Sequence, residues 1–178
     1  NTIIKGGDLK GEKYYYENIP TSLKDMFPIY LLGNDTTITI EKLNGITVTE
    51  LYLSEILNEN TFIHILNSVV RIQSCNMNIN DDINIYENYA SKLINRYKNF
   101  DYSLFENSKP IYESLLVKLQ YYEKNNLGKK KVIHGDPVFT NIIINTYGKI
   151  KFIDMRGKVG DKLTIYGDWL YDWAKIFQ

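Results

Sequence analysis

Cysteine and histidine are scarce in this sequence of 178 residues, which contains one cysteine, Cys75, and two histidines. A single cysteine cannot form a disulfide within the chain. Its scarcity fits a reducing compartment, so we expect a cytoplasmic protein. The scarcity of histidine argues against a metal-dependent hydrolase, because such enzymes normally use several histidine or carboxylate ligands.

The sequence also lacks an excess of charge of either sign. Its 21 basic and 21 acidic residues give a formal net charge of zero, so nothing indicates a nucleic-acid or anionic-membrane partner. No apolar run approaches the roughly 20 residues of a membrane span, and no signal-peptide pattern is visible. A content of 44% hydrophobic residues is ordinary for a soluble globular protein with one core or two small lobes.

The residues that could carry chemistry concentrate in one stretch, residues 132–157. The β-branched run at 141–145 and the segment 149–154 are typical of two strands joined by a turn at Thr146-Tyr147-Gly148. If the turn centres near Tyr147-Gly148, the numbers of two residues that face each other across the hairpin add up to about 295. Asn141 then lies opposite Asp154, within one residue, and directly opposed side chains are roughly 5 Å apart.

An amide oxygen and a carboxylate at one point are hard oxygen ligands, which suit a Mg²⁺ ion that also binds phosphates. Asp136 lies five residues before Asn141, at the mouth of a loop that begins with His134-Gly135. A base followed by two metal ligands is the layout of a phosphoryl-transfer site. The alternative is a purely structural hairpin, in which these polar residues are caps or surface groups.

The pattern His-Gly-Asp-x-x-x-x-Asn at 134–141, followed by Ile153-Asp154, resembles the aminoglycoside phosphotransferase and choline kinase group of small-molecule kinases. The spacing Asp-x-x-x-x-Asn also occurs in the protein-kinase catalytic loop, from which His134-Gly135 departs. The longer pattern, with Asp-Pro-x-Phe-x-Asn-Ile and Ile-Asp-x-Arg-Gly, is similar to phosphotransferase-fold proteins of bacterial surface-polysaccharide gene clusters. The resemblance is dense over residues 131–174 and thin elsewhere.

The resemblance implies an α+β fold of the protein-kinase-like, two-lobe type. Residues 1–45 would form a partial N-terminal lobe and hinge, and residues 46–178 a mainly helical C-terminal lobe with the catalytic β-hairpin. Two strands and a phosphate-covering loop would precede Asn1, and more of the C-terminal lobe would follow Gln178, so we expect both lobes to be incomplete. ATP or GTP would be the phosphate donor and Mg²⁺ the cofactor.

The resemblance also assigns the reacting groups. Asp136 would orient or deprotonate the acceptor hydroxyl, while Asn141 and Asp154 would hold Mg²⁺. Lys5, at the end of a predicted strand, would bind the α- and β-phosphates.

Residues outside the hairpin would complete the site. Glu12 would pair with Lys5, with Glu17 as a second candidate, and the backbone at Glu41 and Leu43 would contact the adenine edge. Three residues would support the loop. His134 would pack and hydrogen-bond beneath it, and Asp172 would tie the following helix to it. Arg156 would make a structural contact, for instance with a loop carboxylate, with a contact to phosphate as the alternative. Asp168 is the second candidate for the role of Asp172.

Hydrophobic periodicity supplies the remaining elements. It predicts strands at residues 2–5, 27–32 and 36–43 and helices at 8–18, 47–75, 85–97 and 111–122. The predicted helix caps are Asp8, Thr49 or Ser54, and Asp168. Residues 76–82, which include Asp81-Asp82, read as a polar loop, and His64 on an apolar helix face reads as a core or boundary residue.

These features predict a phosphotransferase that transfers phosphate from ATP to a hydroxyl of a small molecule, such as a sugar or an amino alcohol. Surface-polysaccharide biosynthesis is one context that the resemblance suggests. A nucleotide-binding module without catalysis is the alternative. The acceptor cannot be read from the sequence, although a choline-type cation would need an aromatic or acidic pocket.

Overall fold

The computed structural model describes residues 1–75 and 82–178, which form an α+β arrangement. Three antiparallel strands open the chain: β1 (Thr2–Gly6), β2 (Tyr30–Gly33) and β3 (Thr37–Glu41), in the order β1-β3-β2. Helix α1 (Lys10–Asn18) follows β1 and buries Tyr15 and Tyr16. Helix α1 therefore follows directly from the strand that carries Lys5.

The predicted cap of α1 is wrong. Leu9 is at the N-cap position and no side chain caps the helix, because the Asp8 carboxylate instead lies 3.6 Å from Lys158 Nζ. The helix consequently begins two residues later than predicted.

A second sheet contains the predicted hairpin and one strand that was not predicted. Strands β4 (Gly45–Thr47), β6 (Ile142–Asn145) and β7 (Ile150–Phe152) are antiparallel in the order β4-β6-β7. The register pairs Ile142 with Phe152, so paired residue numbers sum to 294 and not 295.

The register differs because the turn has three residues. Asn145 and Lys149 close it, since the Asn145 N–H donates to the Lys149 carbonyl at 2.9 Å, and Gly148 adopts the left-handed backbone at φ 73° that such a loop needs. Asn141 therefore lies opposite Ile153, whose N–H donates to the Asn141 carbonyl at 3.0 Å. Asp154, the predicted partner, is one position beyond Ile153, which is within the predicted margin of one residue.

Helices supply most of the remaining structure: α2 (Val48–Leu53), α3 (Glu59–Gln73), α4 (Ala90–Asn99), α5 (Ser108–Lys124) and α6 (Trp169–Phe177). Thr47 caps α2 in a reciprocal capping box with Glu50, and Asn58 caps α3. The predicted caps Thr49 and Ser54 are wrong, because the first turns begin at Val48 and Glu59. His64, expected in or beside the core, is exposed on α3.

Four more short strands form two antiparallel pairs. Strand β5 (Lys130–Val132) pairs with β10 (Tyr166–Asp168), and β8 (Lys158–Val159) pairs with β9 (Lys162–Leu163). Except for Asp82, the polar loop predicted at residues 76–82 lies outside the described residues.

One hydrophobic core joins the sheets to α1 and α3. Its largest fully buried side chains come from both sides of the molecule: Tyr15, Leu23, Phe27, Ile38, Ile65, Ile72, Ile142 and Phe152. Across residues 1–75 and 82–178, no helix has both the length and the apolar character that a membrane crossing requires.

Candidate active site

Hydrogen bonds from backbone N–H groups hold the loop that begins at His134, after β5. The N–H groups of His134 and Gly135 each donate to the Asp172 carboxylate at 2.8 Å, and the His134 carbonyl accepts the Arg156 N–H at 3.0 Å. Asp172, on α6, is fully buried. The helix after the hairpin is therefore tied to the loop through Asp172.

Asp168, the alternative for that role, has a different function. Its side chain accepts hydrogen bonds from the hydroxyls of Tyr89 and Tyr122, at 2.6 and 2.9 Å, and from the Lys129 N–H at 3.0 Å. It occupies the N-cap position of α6 without capping the helix, because these partners engage its carboxylate.

The ring of His134 fastens the loop to the hairpin. Its Nδ1 accepts the backbone N–H of Asp136 at 3.1 Å, so Nε2 carries the proton and donates to the Ile153 carbonyl at 3.0 Å. The ring is fully buried, and burial lowers the pKa of His134 to about 4. The histidine is therefore neutral at pH 7, and its ring holds the Asp136 N–H and the Ile153 carbonyl at a fixed separation.

Asp136 and Asn141 are joined across the loop. The Asn141 Nδ2 donates to the Asp136 carbonyl at 3.0 Å, which fixes the orientation of the amide. The Asn141 Oδ1 receives only a long contact, 3.4 Å, from the Thr140 hydroxyl. This oxygen is therefore available to a ligand, while the Asp136 carboxylate remains partly exposed.

Asp154 follows β7 with a left-handed backbone, φ 61°. Among residues other than glycine this conformation is uncommon, although asparagine and aspartate adopt it more often than the rest, and it clusters at functional sites. The bend takes Asp154 out of the strand ladder, and its side chain is 47% exposed. Its Oδ1 accepts a hydrogen bond from Lys5 Nζ at 2.6 Å.

Lys5 contacts two carboxylates, because its Nζ also donates to Glu12. Glu12 is buried and Glu17 is exposed, so the first of the two candidate acids faces the lysine. Burial of Lys5 opposes its charge, but the hydrogen bonds that it donates to Asp154 and Glu12 outweigh burial and raise the pKa of Lys5. The lysine is therefore fully charged at neutral pH.

Glycines allow α1 to lie against the segment that carries Asp154. A Cβ atom at Gly11 would be 2.1 Å from the Arg156 carbonyl oxygen, and one at Gly157 would be 1.7 Å from the Gly11 carbonyl oxygen. No side chain larger than hydrogen fits at either position. Beside this contact lies a cavity of about 390 Å³, lined in part by Lys5, Glu12 and Asp154.

Arg156 contacts an aromatic ring and not the loop carboxylate that was suggested. Its guanidinium lies 5.2 Å from the centroid of the Tyr171 ring, and its Nη1 donates to the Tyr171 hydroxyl at 2.6 Å. These contacts attach the segment after Asp154 to α6.

The expected adenine-contacting residues lie at the end of β3. The Glu41 N–H donates to the Ile29 carbonyl at 2.8 Å, and its carboxylate accepts the Ile29 N–H at 3.1 Å. The Leu43 N–H donates to no group within residues 1–75 and 82–178. Of the two backbone N–H groups, the one at Leu43 is available to a ligand.

A larger cavity, of about 1090 Å³, adjoins the loop on the side of α6. Five aromatic residues line it: Tyr52, Phe62, Phe139, Trp173 and Phe177. Lys175 also lines it and places Nζ 3.0 Å from Asp136 Oδ1. The candidate base is thus linked to the cavity wall.

The donor set suits a metal that is completed by phosphate oxygens. Within the part of the chain that is described, no group of three or more His, Cys, Asp and Glu side chains could hold a metal. Mg²⁺ is commonly bound through one or two protein oxygens together with substrate phosphates and water. The Asn141 amide oxygen and the Asp154 carboxylate provide oxygens of this kind.

The fold has counterparts among solved structures. The choline kinase LicA from Streptococcus pneumoniae matches with a TM-score of 0.64 at 20% identity, over 99% of this chain and 60% of that chain. An ethanolamine kinase from Plasmodium vivax matches with a TM-score of 0.59 at 15% identity, over 99% of this chain and 53% of that chain. An aminoglycoside phosphotransferase from Streptomyces rimosus, in complex with ADP and streptomycin, matches with a TM-score of 0.57 at 16% identity. This match covers 99% of this chain and 69% of that chain.

The chain therefore has the protein-kinase-like α+β fold that these small-molecule kinases share, and the predicted fold class is confirmed. It spans 60% and 53% of the lengths of the first two proteins. No protein-family model matches the chain, and no curated protein matches it significantly.

Two features of the site were missed in the sequence. Lys175 lies three residues after Asp172, so helical spacing alone places both on one face. The close approach of Gly11 to Gly157 has no such signal, because isolated glycines are common and the contact joins distant segments.

Proposed function

We propose that the protein transfers the γ-phosphate of ATP or GTP to a hydroxyl group of a small molecule. The observation that carries the proposal is the meeting of Lys5, Glu12 and Asp154, which places a cation and two carboxylates beside one cavity. Strand β1, α1 and the end of the hairpin each contribute one of these groups.

The donor side of the site follows from these charges. Lys5 would bind phosphate oxygens, and Glu12 would hold the lysine in position. Asn141 and Asp154 would hold Mg²⁺, which neutralises phosphate charge when it is bound. The free Leu43 N–H would receive the adenine edge, with Glu41 fixing the strand that leads to it.

On the acceptor side, Asp136 would receive the hydroxyl proton. The acceptor oxygen forms a bond to the γ-phosphorus while the bond to the β–γ bridging oxygen breaks, which releases the nucleoside diphosphate. His134 and Asp172 hold the loop backbone, so the Asp136 carboxylate stays in place during the transfer.

The lining of the large cavity supports a proposal for the acceptor class. Its aromatic lining suits a cationic group, which binds favourably over ring faces. Among residues 1–75 and 82–178, no acidic side chain lines it. A polycation such as an aminoglycoside would need carboxylates, so an amino alcohol is the first candidate and a sugar the second. The names of two similar structures, a choline kinase and an ethanolamine kinase, support the same class.

The remaining parts of the proposal concern organisation and context. Residues 1–45 act as a nucleotide-binding lobe and hinge, and residues 46–178 as the lobe that binds the acceptor. Surface-polysaccharide biosynthesis in the bacterial cytoplasm fits the motif resemblance.

Radiolabelled ATP and a panel of choline, ethanolamine, simple sugars and streptomycin would test the proposal with the full gene product. We expect label transfer to an amino alcohol, and no transfer with Asp136→Asn. Nucleotide binding without transfer to any compound would instead favour a binding module without catalysis.

A further inference from the structure

Lys175, in the last turn of α6, lies beside the candidate base. Its Nζ is 3.0 Å from Asp136 Oδ1, and the two side chains are only 23% and 32% exposed. Oδ1 is buried and makes no hydrogen bond of normal geometry. The ammonium group therefore holds this oxygen by charge, in a partly shielded place where charge attraction is stronger than in water.

The same helix face fixes the loop in two ways. Asp172 and Lys175 are three residues apart, so they lie on one side of α6. Asp172 binds the backbone N–H groups of His134 and Gly135, and Lys175 binds the side chain of the next residue. Helix α6 therefore sets both the path of the loop and the direction of the Asp136 carboxylate.

The pairing leaves one carboxylate oxygen for the acceptor. Because Oδ1 is buried, the exposed surface of the Asp136 side chain lies on its other atoms, of which Oδ2 is the polar one. Lys175 also lines the large cavity, so the same side chain contacts both the cavity and the Asp136 carboxylate.

We propose that Lys175 is a positioning residue for phosphoryl transfer. It holds Asp136 Oδ1 and thereby directs Oδ2 to the acceptor hydroxyl. This inference rests on the proposed function. In a loose transition state the base mainly orients the nucleophile, so a carboxylate that is free to rotate about its χ angles lowers turnover without weakening nucleotide binding.

Substitutions at position 175 test this role. Lys175→Met keeps the length of the side chain and removes its charge, and Lys175→Arg keeps the charge. We expect kcat to fall about 10- to 100-fold with methionine, the scale of a misplaced reacting group, with KM for ATP unchanged and partial recovery with arginine. Lys13→Met is the matched control, since Lys13 forms an ion pair with Asp35 at 3.3 Å, away from the loop.

A double-mutant cycle identifies the route of the effect. If Lys175 acts through Asp136, then Lys175→Met should change kcat less than about twofold in an Asp136→Asn background, because coupled residues are not additive. Additive losses would overturn the inference, as would equal effects of Lys175→Met and Lys13→Met.

A second measurement does not need activity. The ¹⁵N resonance of the Lys175 ammonium should shift in Asp136→Asn, while that of Lys13 should not, and an unchanged Lys175 resonance would overturn the pairing. If the wild-type protein phosphorylated no acceptor, the proposed function would fail, while this resonance would still decide whether Lys175 holds Asp136.

Discussion

Lys5 Nζ and Asp154 Oδ1 lie 2.6 Å apart, although 149 residues separate them in the chain. The contact joins the first strand to the end of the hairpin, at a residue with a left-handed backbone. One cation and one carboxylate thus define the place where phosphate and metal would meet, and each can be removed separately.

Removal of the Asp154 carboxylate should affect metal-dependent nucleotide binding most. We expect Asp154→Ala to weaken Mg²⁺-dependent ATP binding more than Asn141→Ala, because the carboxylate contributes a charge and the amide does not. Calorimetric titration with and without Mg²⁺ measures both effects. Asp161→Ala removes an exposed carboxylate from the nearby β8–β9 turn and serves as the control. Undiminished affinity in Asp154→Ala would remove the metal assignment.

Lys5 should contribute separately to stability and to nucleotide binding. Lys5→Met leaves the buried Glu12 carboxylate without its cation. Such losses reach about 3–5 kcal/mol in fully buried pairs, and because Lys5 is 31% exposed we expect about 2 kcal/mol here. Urea denaturation measures the free energy of unfolding. Adding Glu12→Gln should restore most of the stability without restoring ATP affinity, and recovery of both would show that Lys5 has only a structural role.

Replacing Asp136 should separate chemistry from binding. Asp136→Asn keeps the shape and removes the charge that accepts the proton, so we expect ATP affinity within a few-fold of wild type. Turnover should fall by roughly 100-fold or more, the usual scale for a general base. Steady-state kinetics with calorimetry tests this. Normal turnover would exclude Asp136 as the base, and combined loss of binding and stability would make it a structural loop residue.

The His134 ring should titrate far below an ordinary histidine. Its pKa is lowered to about 4 from 6.5 by burial, and protonation of Nδ1 would break the hydrogen bond from Asp136. Because the unfolded chain binds this proton more tightly, the stability contributed by neutral His134 is complete above pH 6.5. This contribution to the free energy of unfolding, about 3 kcal/mol in total, is lost as the pH falls toward 4.

The His134 resonance should be followed directly by NMR. Burial raises the pKa of Asp172 to about 7, so Asp172 favours the folded state as the pH falls from 7 toward 4. This opposes the effect of His134 in a stability measurement. The exposed ring of His64 gives the comparison signal in the same spectrum. A midpoint near 6.5 for His134 would show that the ring is not buried in solution.

The sequence predicts the hairpin and its polar residues well, because β-branched runs and the turn signal are local. It misses the exact register, since Thr146-Tyr147-Gly148 accommodates either a two- or a three-residue turn. Strands of two or three residues, such as β8 and β9, are too short to show a period. Their formation depends on packing against distant segments.

The residues of the site also include some that local sequence predicts and some that depend on packing between distant segments. The spacing from His134 to Asn141 is a local signal, whereas the choice of Glu12 over Glu17 needs the packing of α1, which buries Glu12 and leaves Glu17 exposed. The partner of Arg156 was not predictable, because Tyr171 reaches it only through the packing of α6. Lys175 could have been found, since it lies on the helical face that Asp172 already defines.

The pairing of β4 with β6 has a mechanical consequence. Gly45 pairs with Asn145, and the Thr146 N–H donates to the Asn44 carbonyl at 3.1 Å, so the connecting segment is fastened to the hairpin up to residue 44. The shared core and the contact between Gly11 and Gly157 join the two sheets at further points. A rotation of the first sheet about residues 42 and 43 would have to break these contacts. The two sheets therefore hold Lys5 beside Asp154 as one unit.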